Sequence, residues 1–226
     1  MIIAVTGLAR EARIIAGPGV TVICCGGRAV LLLEKLERLM QGVDGIISIG
    51  IAGALMPSLK SGDCVIASEI VGGGRNIPTD ASWTKRMAAR LPDALVAPLT
   101  SADGIIFSPT TKAALFRATG AYAVDMESHV AAEFAASRRI PFAALRTIAD
   151  SARSELPRLV SLAITPSGTV DVFAVLRATF SDPGQIPSLI RTARESNAAF
   201  RTLLRCRDVL GFGLAGPDGR ELALDM

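Results

Sequence analysis

Two acidic residues stand where a short apolar segment gives way to a helical one. The apolar segment is Ala121–Val124, the acids are Asp125 and Glu127 with Met126 between them, and an alanine-rich stretch follows. An acid at the start of a helix is often a cap, since its carboxylate accepts hydrogen bonds from the free N–H groups and interacts favourably with the helix dipole. Capping explains one acid well and two poorly. We therefore expect the Glu127 side chain to point into a ligand crevice.

Another acid, Asp150, follows the apolar segment Phe142–Ile148. Arg146 lies four residues earlier, so in an extended strand the two side chains share a face and can form an ion pair. Alternatively, burial in a crevice keeps Asp150 protonated, and it can then donate a proton to a ligand. The spacing is compatible with both interpretations.

Two further segments follow apolar runs. Glu11 comes soon after the first run and is either a solvated residue at a helix start or a third acid of the crevice. The segment Gly50–Gly53 lacks the third glycine of a dinucleotide-binding fingerprint and is not a Walker loop. Its glycines predict a tight turn, or a place where a ligand approaches the bare backbone.

The elements that must position these residues alternate between strand and helix. The predicted strands are continuous apolar runs, as in buried parallel sheets: Ile2–Thr6, Val20–Cys25, Gly45–Ile49, Cys64–Ala67, Leu95–Thr100, Ala121–Val124 and Phe142–Ile148. The predicted helices are Ala29–Met40, Thr84–Leu91, Thr110–Thr119, Ser128–Arg138 and Pro187–Leu210. This alternation predicts an α/β layer architecture with a mainly parallel sheet, whose strand ends form a ligand crevice. Residues 153–166 are interpreted as a loop that covers the crevice.

Composition limits the classes of function. A chain of 226 residues with 50% hydrophobic residues predicts a single α/β domain spanning residues 1–226. A net charge of +3 without basic clusters and an aromatic content of 4% disfavour nucleic-acid binding. The N-terminus lacks the basic region of a signal peptide, and no apolar run reaches the ~18 residues of a membrane span, so we expect a cytoplasmic protein.

The four cysteines do not indicate a metal site. Cys24, Cys25, Cys64 and Cys206 form no Cys-x-x-Cys pair, and His129 is the single histidine. Reduced thiols in the core are the simpler interpretation and suit a cytosol.

Taken together, the strand-end segments resemble the nucleoside phosphorylase superfamily, and most closely the 5′-methylthioadenosine/S-adenosylhomocysteine nucleosidases. The segments that carry the resemblance are Gly50–Leu55 with Leu59–Asp63, Ser101–Asp103, Val124–Ser128 and Pro141–Asp150. The resemblance implies a phosphorylase/hydrolase-like three-layer α/β fold, with a mixed, mainly parallel central sheet flanked by helices. It also implies cleavage of the N-glycosidic bond of an adenine nucleoside, no metal or organic cofactor, and a homodimer.

The same resemblance assigns roles to individual residues. Glu127 matches the glutamate that binds the ribose hydroxyls, and Met126 matches the methionine that packs on the sugar. Asp150 matches the acid that protonates purine N7, and Glu11 matches the glutamate that activates water. The residues assigned to substrate binding are Glu127, Met126, Asp125, Ile105, Ile106, Gly50, Ile51, Ala52 and Arg146, with Ile105 and Ile106 against the purine and Arg146 holding a carboxylate.

The nucleophile stays open at this stage. The hydrolases of the family carry a hydroxyl residue at the position of Ile51 and a serine at the position of Ala149, so both departures make the site more apolar. Arg10, Arg13 or Arg28 can reach an anion, which keeps phosphate-dependent cleavage as an alternative. Glu11 favours water. A module that binds a nucleoside without cleaving it is the rival from another class.

A narrower resemblance concerns the substrate. The Cys24–Gly27 segment and the apolar departures look like the hopanoid-associated phosphorylase branch, which is implied to remove adenine from adenosylhopane. A mean hydropathy of +0.43 fits a lipid-like 5′ substituent. A lipid substrate would also bring the chain into peripheral contact with a membrane surface.

Overall fold

One mixed sheet and six helices are described in a computed structural model, which covers residues 1–39, 41–157 and 186–217. The strands are β1 (Ile2–Thr6), β2 (Val20–Cys24), β3 (Gly45–Ala54), β4 (Cys64–Gly72), β5 (Arg75–Pro78), β6 (Leu95–Ser101), β7 (Ala123–Asp125) and β8 (Phe142–Asp150). The helices are α1 (Ala9–Ile15), α2 (Ala29–Arg38), α3 (Ala81–Arg90), α4 (Pro109–Thr119), α5 (Ser128–Arg138) and α6 (Ile186–Leu210).

The sheet closes on itself. Its strand order is β2-β1-β3-β7-β6-β4-β5, and β8 pairs with both β3 and β4. The strands β3, β7, β6, β4 and β8 therefore form a ring, from which β1 and β2 extend on one side and β5 on the other. Five of the eight pairings are parallel, and β3–β7, β4–β5 and β4–β8 are antiparallel. The prediction of a mixed, mainly parallel sheet is confirmed.

Helices cover both faces of this sheet, because alternate residues of each strand point to opposite sides. In β1, Ile3 and Val5 belong to a core that includes side chains of α2 and α5. Their neighbours Ile2 and Ala4 belong to a second core that includes side chains of α1, α3 and α6. The three-layer arrangement thus follows from the continuous apolar strands, which need cover on both faces.

The main difference from the predicted elements lies in the long strands. Gly50–Gly53 is part of β3, which continues to Ala54 in register with β8, so the predicted tight turn is wrong. Sequence analysis also missed β5, a short edge strand that forms a hairpin with β4. Residues 153–157 have no regular structure, in agreement with the predicted loop, and the rest of that loop lies outside the described residues. Of the helices in the described ranges, none combines the length and the apolar character needed to cross a bilayer.

Candidate active site

The acids singled out by sequence meet in one cavity. Glu11, Glu127 and Asp150 all line a space of about 390 Å³ formed where β1, β3, β7 and β8 end. The other predicted residues that line it are Asp125, Met126, Ile105, Ile106, Ile51 and Ala52. Gly50 and Arg146 lie outside this lining. Both residues instead contact acids of the lining: Gly50 lies against Glu11, and Arg146 lies near Glu127.

Glu127 reaches the cavity because a glycine, Gly7, directly follows β1. The Glu127 residue directly precedes α5 and is 6% exposed. A β-carbon placed on Gly7 would lie 2.5 Å from Glu127 Oε1, which is closer than such atoms approach. A side chain at position 7 would therefore push the carboxyl group out of its place.

Glu11 is held by three backbone N–H groups. Oε2 accepts hydrogen bonds from the N–H groups of Gly7 (2.9 Å) and Leu8 (2.7 Å), which caps α1. Oε1 accepts one from the N–H of Ile51 at 2.7 Å and so links α1 to β3. A β-carbon on Gly50 would lie 2.5 Å from Oε1. Glu11 is thus both a helix cap and a cavity acid, and Gly50 provides space for this carboxyl group.

Arg146 pairs with Asp125 behind the cavity. Both are buried, and Arg146 Nε donates to Asp125 Oδ2 at 2.6 Å. Arg146 Nη2 donates to Ser48 Oγ at 2.5 Å and to Ser128 Oγ at 3.2 Å, and lies 3.8 Å from Glu127 Oε2. Asp125 also accepts hydrogen bonds from the backbone N–H groups of Glu127 (3.2 Å) and Ser128 (3.1 Å), so it caps α5. The Asp125 carboxylate is occupied by these partners, although the residue lines the cavity.

The alternative ion pair between Arg146 and Asp150 is wrong, because β8 contains a bulge. Ile148 pairs with Ala52 of β3, but Asp150 pairs with Gly53, which leaves Ala149 as an extra residue. The bulge breaks the alternation that would have placed both charged side chains on one face.

Asp150 pairs instead with Lys112, which sequence analysis missed. Lys112 lies in the first turn of α4 and is fully buried, and its Nζ donates a hydrogen bond to Asp150 Oδ2. Lysine is usually an exposed residue, and the sequence of the predicted helix Thr110–Thr119 gives no sign that this one is buried.

The remaining cavity wall is mostly apolar. Gly27 has a φ of 74°, and a β-carbon there would lie 2.4 Å from Met126 Cε, so this glycine turn makes room for the methionine. Ile105 and Ile106 come from the segment between β6 and α4. The residues that sequence analysis did not place in the cavity are Gly7, Leu8, Gly26, Gly27, Gly53, Gly104, Lys112, Val124, Leu156, Thr192 and Ser196.

Burial and the charge of Arg146 together determine the pKa values of this cluster. The pKa of Asp125 is lowered: burial favours its neutral form, but Arg146 and the hydroxyl groups of Ser101 and Ser128 outweigh burial. Burial raises the pKa of Glu127 to about 8, with Arg146 opposing and Asp125 and Glu11 adding to the rise. Burial also raises the pKa of Glu11 against the influence of Arg146 and the three N–H groups. Asp125 already balances the charge of Arg146. Within the part of the chain that the structure describes, Glu127 and Glu11 therefore lack a cation of their own, and their protonated forms are favoured.

This ionisation predicts that the protein loses stability as the pH rises. The pKa of Glu127 is about 8 in the folded chain against an ordinary value of 4.5, so its contribution is fully present below pH 4.5 and is lost as the pH rises through about 8. We expect the Tm to fall as the pH rises from about 4.5 to about 8, with a decrease in the free energy of unfolding on the order of a few kcal/mol. Thermal unfolding followed by circular dichroism measures it.

The Glu127→Gln variant tests the cause of this loss. It removes the titrating group, so its Tm should depend less on pH over the same range. Glu133→Gln is the matched control, since the side chain of Glu133 on α5 is 46% exposed. An equal pH dependence in Glu127→Gln and the unchanged protein would contradict the assignment.

Comparison with solved structures agrees with this fold, whereas a comparison with curated proteins found no match. Among solved structures, a putative 5′-methylthioadenosine/S-adenosylhomocysteine nucleosidase from Francisella philomiragia is similar, with a TM-score of 0.65, 16% identity, and 92% of this chain and 96% of that chain covered. Futalosine hydrolase of Helicobacter pylori gives a TM-score of 0.64, 16% identity, and the same two coverages of 92% and 96%. The Helicobacter pylori 5′-methylthioadenosine/S-adenosylhomocysteine nucleosidase with butyl-thio-DADMe-Immucillin-A gives 0.62, 17% identity, and coverages of 92% and 97%.

A comparison of the sequence with models of protein families identifies the family of this chain. The model of the Phosphorylase superfamily matches residues 5–178, which is most of the chain. The chain therefore belongs to the phosphorylase superfamily. The family predicted from the strand-end residues is confirmed.

Proposed function

We propose that this protein is a purine nucleosidase that cleaves the N-glycosidic bond of an adenine nucleoside and releases adenine. The observation that carries the proposal is the convergence of Glu127, Asp150 and Glu11 on one cavity of about 390 Å³. Three acids at separate places around a single ligand are what this reaction requires, since each handles a different part of the charge.

Cleavage of this bond separates charge between the sugar and the base. Positive charge develops on the sugar, where Glu127 in its ionised form stabilises that charge, while Met126 packs against the ring. Negative charge develops on the leaving base, and Asp150 neutralises it by giving up its proton. Ile105 and Ile106 also line the cavity and provide an apolar surface for the base.

Glu11 supports water as the nucleophile. A carboxylate with a raised pKa is a suitable base near neutral pH, so it accepts the proton that water loses as its oxygen bonds to the sugar. In the described residues, Lys112 is the one cation on the cavity lining, and it is engaged with Asp150. Arg10 instead donates to Asn197 and stacks on Phe200, 4.1 Å from the ring centroid. A phosphate anion would find few partners here.

The apolar cavity wall supports a lipid-like nucleoside, and adenosylhopane is the substrate that we propose. Ile51 and Ala149 are both among the lining residues. Helix α6 contributes Thr192 to the lining and exposes Ile190 two residues earlier, which fits contact with a membrane surface that carries the substrate. We further propose a homodimer, on the family resemblance, and a cytoplasmic location, which the reduced cysteines support.

One assay tests both the reaction and the substrate. Adenine release is measured from adenosine, 5′-methylthioadenosine, S-adenosylhomocysteine and adenosylhopane, each with and without phosphate. We expect release in phosphate-free buffer, and a higher kcat/KM for adenosylhopane than for 5′-methylthioadenosine. The carbon product identifies the nucleophile, because hydrolysis gives a free sugar and phosphorolysis gives a sugar 1-phosphate.

Each outcome has a separate meaning. Strict dependence on phosphate would replace hydrolysis with phosphorolysis at the same site. A preference for 5′-methylthioadenosine would contradict the proposal of a lipid substrate and leave the proposed reaction class unchanged. Binding of nucleosides without any release of base would favour a binding module.

A further inference from the structure

Lys112 is a buried cation beside the proposed acid. Its side chain is fully buried in the first turn of α4, which begins at Pro109 after the capping residue Ser108. Lysine is almost never fully buried without acceptors, because removing the ammonium group from water is costly. The environment of Lys112 therefore has to supply partners for its charge and its three N–H groups.

The three N–H groups of Lys112 all have acceptors. Nζ donates to Asp150 Oδ2 and to the backbone carbonyl oxygens of Ser151 and Ser154, both at 3.0 Å. These contacts join α4 to the end of β8 and the turn that follows, and they occupy Oδ2. Within the described ranges, no donor contacts Asp150 Oδ1, so this oxygen is left to a ligand in the cavity.

We propose that Lys112 is the positioning residue for protonation of the leaving base: it holds Asp150 by Oδ2, directs Oδ1 to the base, and stabilises the carboxylate that remains after proton transfer. This inference rests on the proposed nucleosidase function. Lys112 keeps its own proton throughout and acts through Asp150.

The proton balance shows why a cation is needed here. As the bond between the sugar carbon and the base nitrogen breaks, its electron pair goes to the base. The O–H bond of Asp150 then breaks, an N–H bond forms on the base, and Asp150 becomes a carboxylate in a buried site. Without Lys112 that carboxylate would lack a cationic partner, and Asp150 would be a weaker acid.

The charged groups around Asp150 determine the direction of a pH effect. Burial raises the pKa of Asp150 and Lys112 lowers it. Glu195 and Arg191 approach from α6; burial raises the pKa of Glu195, and Arg191 opposes that rise. Arg191 Nη2 donates to the carbonyl oxygen of Glu155 at 3.2 Å, at an exposed site. Lys112 is thus the group that lowers the pKa of Asp150.

The test compares Lys112→Gln with Lys112→Arg. Activity requires protonated Asp150, so kcat falls as the pH rises through the pKa of that group. In Lys112→Gln we expect this decline to move to higher pH by about one unit or more, and the maximum kcat to fall by at least about tenfold. Lys112→Arg keeps the charge, and its decline should stay near that of the unchanged enzyme. A residue with only a structural role would lower kcat without moving the decline.

A measurement on the unchanged enzyme covers the case in which Lys112→Gln does not fold. The chain has four lysines: Lys35, Lys60, Lys85 and Lys112. In ¹⁵N-lysine NMR, we expect the slowly exchanging Nζ signal of the buried ammonium to shift with the same midpoint as the decline in kcat. Two results would overturn the inference and leave the proposed nucleosidase function standing. One is an Nζ chemical shift that does not change around this midpoint, and the other is a folded Lys112→Gln variant whose kcat declines at the same pH as that of the unchanged enzyme. If the unchanged enzyme releases no base from any nucleoside, both proposals fail.

Discussion

Replacement of Asp150 by asparagine is expected to lower kcat for base release by about 10²–10⁴-fold, because this variant cannot donate the proton that neutralises the leaving base. The amide keeps the size of the side chain and can still accept from Lys112 Nζ, so the cavity should keep its shape. We therefore expect the Kd for the nucleoside to change by only a few fold. Single-turnover release of adenine and calorimetric binding measure the two quantities separately.

Asp103→Asn is the matched control for this experiment. Asp103 also follows the end of a strand, β6, but its side chain is exposed and does not line the cavity. Its variant should release base at the rate of the unchanged enzyme. Asp150→Asn with full kcat would show that the base leaves without this acid, and the reaction would need another proton donor.

The location of the site could be predicted from the sequence because it depends on strand ends. Continuous apolar segments predict buried strands, and residues directly after them meet at one place in an α/β sheet. Glu127 and Asp150 are predicted in this way from their positions directly after apolar segments. The helix Ser128–Arg138 was predicted with its observed bounds, since its start is fixed by the capping acid Asp125.

The pairing of the charges could not be predicted, because it depends on contacts between distant segments. Spacing placed Arg146 next to Asp150, but one extra residue in β8 separates them. Lys112 lies 38 residues before its partner Asp150, and the assembled sheet, which is closed into a ring, brings α4 to the end of β8. A bulge and a ring closure have no local sequence signature of the kind that strand hydrophobicity provides.

Two glycines show how the backbone adapts to these acids. Gly7 directly follows β1 and Gly50 lies within β3, whereas sequence analysis assigned Gly50 to a tight turn or a ligand contact. The structure shows that each leaves space for a carboxyl group, Gly7 for Glu127 and Gly50 for Glu11. Each glycine is needed because a side chain from another segment packs against it, and a local sequence pattern does not contain that information.

Glu127→Gln is expected to lower kcat/KM for base release by about 10²–10³-fold. Glutamine has the same shape and can still hydrogen-bond to ribose hydroxyl groups, but it cannot become negative when the sugar becomes positive. Asp125 already balances Arg146, so Glu127 is the carboxyl group near the sugar whose ionisation is free to respond to the reaction. The loss should therefore fall mainly on kcat, with a smaller change in KM.

The matched control is again Glu133→Gln, on the exposed face of the helix that Glu127 precedes. It removes one negative charge from the same part of the chain and should leave kcat/KM unchanged, which excludes a general electrostatic effect. Glu127→Asp completes the series, since it keeps the charge but shortens its reach, and we expect it to retain more activity than Glu127→Gln at saturating substrate. If Glu127→Gln raised KM alone and kept the full kcat, Glu127 would only bind the sugar, and the stabilisation of its positive charge would have to come from another group.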